Sequence, residues 1–226
     1  MAMKKTKDPV NQDVVDVNDE IGFERMGYMS SQAWYDDPRQ TVFTMARYKF
    51  VSKMLDGKKN VAEIGCGDGF WSRIVRQTVD KLTVTDFDPL FIEDIDKRNP
   101  DRWKINSYVY DVLSEKPMKD QYDAIYSLDV LEHIEPSKET IFIDNVLSSL
   151  DTNGVFIAGM PSLESQKYAS EVSKAGHINC KTGADFKMLL EKYFTNVFLF
   201  SMNDEVVHTG FSPMAHYLLV ICCNKK

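Results

Sequence analysis

Between residues 60 and 158 the chain alternates short apolar runs with stretches of helical spacing, and no other feature restricts its fold as strongly. Residues 60–64, 81–85, 104–109, 122–127 and 155–158 read as strands, and 70–79, 89–97 and 136–150 as helices between them. This alternation builds βαβ units, which stack into a parallel sheet covered by helices on both faces. A helix over 182–193 and strands over 196–202 and 215–223 follow. No helix separates the last two strands, and parallel neighbours need a crossover of a dozen or more residues, so the final strand is expected to run antiparallel. The expected fold class is α/β, a doubly wound seven-stranded sheet, mostly parallel with the last strand antiparallel.

The rest of the chain bears on organisation. Residues 1–18 show no helical or strand periodicity and read as a mobile arm, leaving 19–226 as a single domain. Asp36 or Asp37 can cap a helix that starts at Pro38 and stops before Gly57. With 27 Lys+Arg against 34 Asp+Glu, net −7, the chain lacks the basic footprint of a nucleic-acid binder. Cys66, Cys180, Cys222 and Cys223 have no C-x-x-C spacing and read as reduced thiols. The N-terminal stretch lacks an apolar h-region, and no apolar run reaches the ~18–20 residues a membrane span needs. A cytoplasmic protein without membrane or nucleic-acid partners is expected.

The chemistry concentrates at VAEIGCGDGFWS, where Gly65, Gly67 and Gly69 turn the first strand toward a helix. Such a turn lets a ligand approach backbone N–H groups that Cβ atoms would shield; a tight packing turn is the alternative. About 20 residues on, Asp86 ends the second strand, where nucleotide-binding α/β folds place a carboxylate on the ribose hydroxyls. Asp111 ends the third. Three such features in register point to a nucleotide. The dinucleotide pattern G-x-G-x-x-G fails at Phe70, and the Glu63 charge ahead of the turn would repel a pyrophosphate. A cationic ligand without phosphate fits better.

The series EIGCGDG, TDFDP, YDV and YDAIYSLDVLEHI resembles the motifs of class I S-adenosylmethionine-dependent methyltransferases across roughly residues 60–158, and the D-V-L-E-H segment resembles members acting on small molecules. The resemblance implies a Rossmann-like sheet and S-adenosyl-L-methionine as cofactor. It places Gly65, Cys66 and Gly67 against the methionine part and Asp86 on the ribose. Phe87, Asp111 and Val112 fall at the adenine, and Leu128 and Asp129 at the methionine and sulfonium. It implies methyl transfer to an O or N atom of a small-molecule acceptor. A nicotinamide oxidoreductase and a catalytically silent adenosylmethionine-binding partner protein are the alternatives. No N-P-P-Y segment follows the fourth strand and no Pro-Cys pair occurs, which argues against base methylation.

Displacement at a sulfonium methyl needs alignment and, for a hydroxyl or ammonium acceptor, a base. His133 after the fourth strand, His177 in the irregular stretch after the fifth, and His208 with Glu205 in the last loop are the candidates; for His133, capping or packing against the next helix is the alternative. Asn203 and Asp204 in that loop, with Trp34, Tyr35 and Arg39 ahead of the first strand, are candidate acceptor contacts. Arg47 and Lys49 are candidates for the methionine carboxylate. Glu205 and His208 have Glu-x-x-His spacing but no third ligand, so no metal is expected.

Overall fold

The computed structural model describes residues 4–100, 102–114 and 116–226. Eight strands, β1 (Asn60–Ile64), β2 (Lys81–Asp86), β3 (Asn106–Val109), β4 (Tyr122–Leu128), β5 (Leu150–Pro161), β6 (Phe194–Asn203), β7 (Val206–His208) and β8 (Tyr217–Lys225), form one sheet. Their order is β3-β2-β1-β4-β5-β8-β6-β7. β1 to β5 pair in parallel, whereas β8 runs antiparallel to both β5 and β6. The expected doubly wound α/β class and the antiparallel last strand are both present.

The strand count differs from expectation by one. The segment read as a plain loop after Asn203 instead turns back through Asp204 and Glu205 and pairs Val206–His208 against β6. Asp204 takes φ +50°, the left-handed conformation that a two-residue hairpin turn demands and that Asp tolerates.

Eight helices accompany the sheet: α1 (Gln12–Ile21), α2 (Tyr28–Asp36), α3 (Pro38–Met54), α4 (Ser72–Arg76), α5 (Pro89–Arg98), α6 (Glu139–Ser149), α7 (Glu171–Gly176) and α8 (Gly183–Glu191). Side-chain caps start four of them. Asp37 accepts from the Arg39 N–H ahead of α3, Asp88 from Leu90 ahead of α5, Ser170 from Ser173 ahead of α7, and Thr182 from Asp185 ahead of α8. Pro38 and Pro89 occupy first helical positions, where a missing N–H costs nothing.

The segment expected to lack periodicity contains α1. Val10, Val14, Val17 and Ile21 repeat at helical spacing among charged residues, and all four remain exposed. The helix expected over 70–79 is only five residues long, because Gly69 to Trp71 are still completing the turn out of β1.

Alternate residues of the central strands feed two cores. Ile64, Ile125, Phe142, Phe156 and Phe194 meet on one face; Val51, Leu55, Val84, Ala124 and Tyr126 meet on the other. Burial on both faces matches the mostly apolar make-up of β1 and β4. Among the described residues no helix is long and apolar enough to cross a membrane.

Candidate active site

The carboxyl ends of β1, β2 and β4 lie side by side, with Ile64 paired to Thr85 and Glu63 to Tyr126. Open α/β sheets bind ligands along this edge, at the point where the strand order reverses; here that point is β1. The glycine turn leaves β1 with Gly65 at φ +74° and Gly67 at φ +54°. A Cβ on Gly65 would fall 2.2 Å from Val130 Cγ2, and one on Gly67 would fall 2.6 Å from Met29 Sδ. Both positions take the left-handed conformation that favours glycine, and at Gly65 the close approach of Val130 adds to it. Met29 belongs to α2, so this helix lies across the turn.

Beneath the turn, Glu63 is fully enclosed. Tyr48 Oη donates to its Oε1 and Tyr126 Oη to its Oε2, each at 2.7 Å. Burial pushes the Glu63 carboxyl above its ordinary value, and the two phenols partly offset this. Glu63 supports the turn from below.

Asp86 is also buried. Its Oδ2 accepts the Gly67 N–H at 2.9 Å and its Oδ1 the Asp88 N–H at 3.0 Å. Burial raises this carboxyl, against the lowering by those backbone donors. Phe87 beside it is 72% exposed. Asp111 is exposed and accepts from Leu113 N at 2.8 Å, while Val112 and Leu128 are packed into the core. Cys66 is buried within the turn, and burial drives its thiol well above the ordinary range. The residues expected to bind the cofactor thus lie at or just beyond the carboxyl ends of β1 to β4, with Val112 and Leu128 packed into the core.

Asp129 follows β4 at φ +57° and receives Arg47 Nη1 on both carboxylate oxygens, at 2.8 and 3.1 Å. The same guanidinium lies 3.9 Å from the centre of the Tyr217 ring. α3, β4 and β8 are tied together at this point, so Arg47 is engaged within the protein. Lys49 instead lines a groove of about 740 Å³ between α3 and β7.

The acceptor-side expectations divide. His133 and His177 come together, with ring centroids 5.1 Å apart. The contact is built by backbone: Asn179 N–H donates to the Glu132 carbonyl at 2.9 Å, joining two segments far apart in sequence. His133 Nδ1 meets the Gly176 carbonyl and His177 Nδ1 meets Gln166 Oε1, both at 2.9 Å. Burial, then the neighbouring His133, lowers the His177 pKa. Glu132 was missed in the sequence. It has no exposed surface, and neither carboxylate oxygen has a hydrogen-bond partner among the described residues. Burial, then the Asp129 charge, raises its pKa well above the ordinary range.

His208 lies apart. β7 is four strand positions from β4, roughly 19 Å at the usual spacing. Both its ring nitrogens are used inside the hairpin, by Asn203 Oδ1 and by the Gly210 N–H, each at 2.9 Å. Glu205 borders the α3–β7 groove, and Asp204 sits 3.7 Å from His216. Asn203 also donates to the Met214 carbonyl. The loop expected to carry a base is thus a hairpin in which both His208 ring nitrogens are hydrogen-bonded. Trp34 and Tyr35 on α2 are exposed, and Arg39 pairs with its own cap, Asp37.

Fold and edge together define a class. A family model described as a methyltransferase domain matches residues 38–197, and the chain belongs to that family of enzymes. The chain is similar in structure to the N-methyltransferase NodS from Bradyrhizobium japonicum WM9 in complex with S-adenosyl-L-homocysteine: TM-score 0.63 and 20% identity, over 84% of this chain and 90% of that one. The DhpI–SAH complex gives a TM-score of 0.63 at 15% identity, over 86% and 91%. A TehB-like SAM-dependent methyltransferase from Corynebacterium glutamicum gives 0.61 at 18%, over 86% and 96%. Comparison with curated protein sequences finds no match.

Proposed function

We propose that the protein transfers a methyl group from S-adenosyl-L-methionine to an O or N atom of a small-molecule acceptor. The observation that carries this reading is the alignment of the glycine turn, Asp86 and Asp111 at the ends of three adjacent strands. Each Asp86 oxygen keeps a lone pair for a ribose hydroxyl, and Phe87, Asp111 and Val112 border the adenine position. Gly65, Cys66 and Gly67 pass under the methionine part, with Leu128 and Asp129 across from them. Structures of NodS and DhpI with S-adenosyl-L-homocysteine support the cofactor assignment.

In the reaction the acceptor lone pair forms the bond to the methyl carbon as the carbon–sulfur pair leaves on a neutral thioether. The protein aligns the two partners and excludes water. Of the four histidines, His133 and His177 border Asp129 and the acceptor side, with Nε2 lone pairs directed away from their carbonyl partners. These two are the groups we assign to the acceptor, ahead of His208 and Glu205. Trp34 and Tyr35, carried by α2 over the turn, are the acceptor's apolar neighbours.

Calorimetric titration with adenosylhomocysteine and with NAD tests the cofactor assignment. A screen of hydroxyl and amine acceptors then separates an enzyme from a silent adenosylmethionine-binding partner.

A further inference from the structure

We propose that Glu132, His133 and His177 form a binding site for one divalent transition-metal ion, placed beside β4 to hold an acceptor oxygen. One candidate ligand atom from each residue lies within 4.8 Å of the other two. That spacing suits three donors converging on a single ion.

The hydrogen bonds around the trio prepare it for a cation. His133 Nδ1 faces a carbonyl oxygen, that of Gly176, so it carries the proton and leaves a lone pair on Nε2. His177 Nδ1 faces Gln166 Oε1. The Gln166 amide is oriented by its own Nε2, which donates to the Ser162 carbonyl at 3.2 Å. The His177 proton is thereby also fixed on Nδ1. A carbonyl partner on the outer nitrogen of each imidazole is the arrangement that orients histidine ligands at metal centres.

Glu132 supplies an independent indication. A fully enclosed carboxylate with both oxygens unpartnered among the described residues is costly to keep. Arg47 is nearby but is taken up by Asp129. A divalent ion bonded to Glu132 would satisfy that carboxylate. Two imidazoles and one carboxylate suit manganese, iron, cobalt or zinc better than calcium or magnesium. His133 is exposed and His177 half-buried, so the open coordination positions face solvent and the carboxyl edge.

The metal's role rests on the methyl-transfer reading. An acceptor hydroxyl bound there loses its proton to solvent more easily, and its oxygen then forms the new C–O bond as the C–S pair leaves on sulfur. This favours acceptors bearing a hydroxyl over amines.

The test is titration of Mn2+, Co2+ and Zn2+ into the purified, chelator-treated protein, with and without adenosylhomocysteine, in a buffer that does not bind metals. One equivalent of at least one ion should bind, weakened tenfold or more in Glu132→Gln and in His177→Ala. Gln166→Ala, which only releases the His177 ring, should lose less. Circular dichroism and retained adenosylhomocysteine binding establish that the variants are folded. No saturable binding of any of the three ions, or equal affinity in the parent and both ligand variants, overturns the site. Failure of the parent to bind adenosylhomocysteine counts separately, against the cofactor reading.

Discussion

Both oxygens of Asp86 already accept a backbone N–H, and in the proposed site each would offer its remaining lone pair to a ribose hydroxyl. Removing this carboxylate should leave the fold intact and weaken adenosylhomocysteine binding by about 1.5–3 kcal/mol, the range for hydrogen bonds to a charged group. Calorimetry on Asp86→Ala reads this directly; an unchanged affinity would place the ribose elsewhere. The residue was legible in the sequence because it ends an apolar run, and strand ends in a parallel sheet fall on a common edge. The histidines were not legible in the same way. His133 and His177 meet where Asn179 N–H bonds the Glu132 carbonyl and His133 the Gly176 carbonyl, contacts no spacing rule announces. His208 has an equally suggestive polar neighbourhood in sequence, yet its ring bonds are spent within one hairpin.

Asp68 ties α2 to the glycine turn. Ser30 donates its N–H and hydroxyl to the Asp68 carboxylate at 2.7 and 3.0 Å, and Gly27 lies so close that a Cβ there would reach 2.4 Å from Asp68. Asp68→Ala should destabilise this docking by about 1–3 kcal/mol. Amide hydrogen exchange should speed up over residues 28–36 and stay unchanged in β1 and β4; uniform protection would mean that α2 is anchored elsewhere. Elements with a strong local signal were readable from sequence: Asp37 with Pro38 and Asp88 with Pro89 announce α3 and α5. The missed elements had weak or masked signals. The stripe of α1 is diluted by acidic residues, β7 is three residues long, and the glycine turn consumes the start of α4.

For the whole molecule, the enclosed Glu63 couples stability to pH. Its folded pKa lies above the ordinary value near 4.5, so between the two values the folded state binds more protons than the unfolded one. Its contribution is greatest at low pH and is lost as pH rises through the raised value. Denaturant unfolding at a series of pH values should show the parent losing stability relative to Glu63→Gln as pH increases across that window; a constant difference would contradict the burial account. At this scale the sheet and its strand directions were anticipated by the alternation of runs, because parallel pairing leaves few ways to connect them. The most direct measurement remains calorimetric titration of the purified chain with adenosylhomocysteine and, separately, NAD. Saturable binding of one adenosylhomocysteine per chain, with no heat from NAD, is the expected result. NAD binding with adenosylhomocysteine refused would contradict the assignment of this edge to a sulfonium nucleoside.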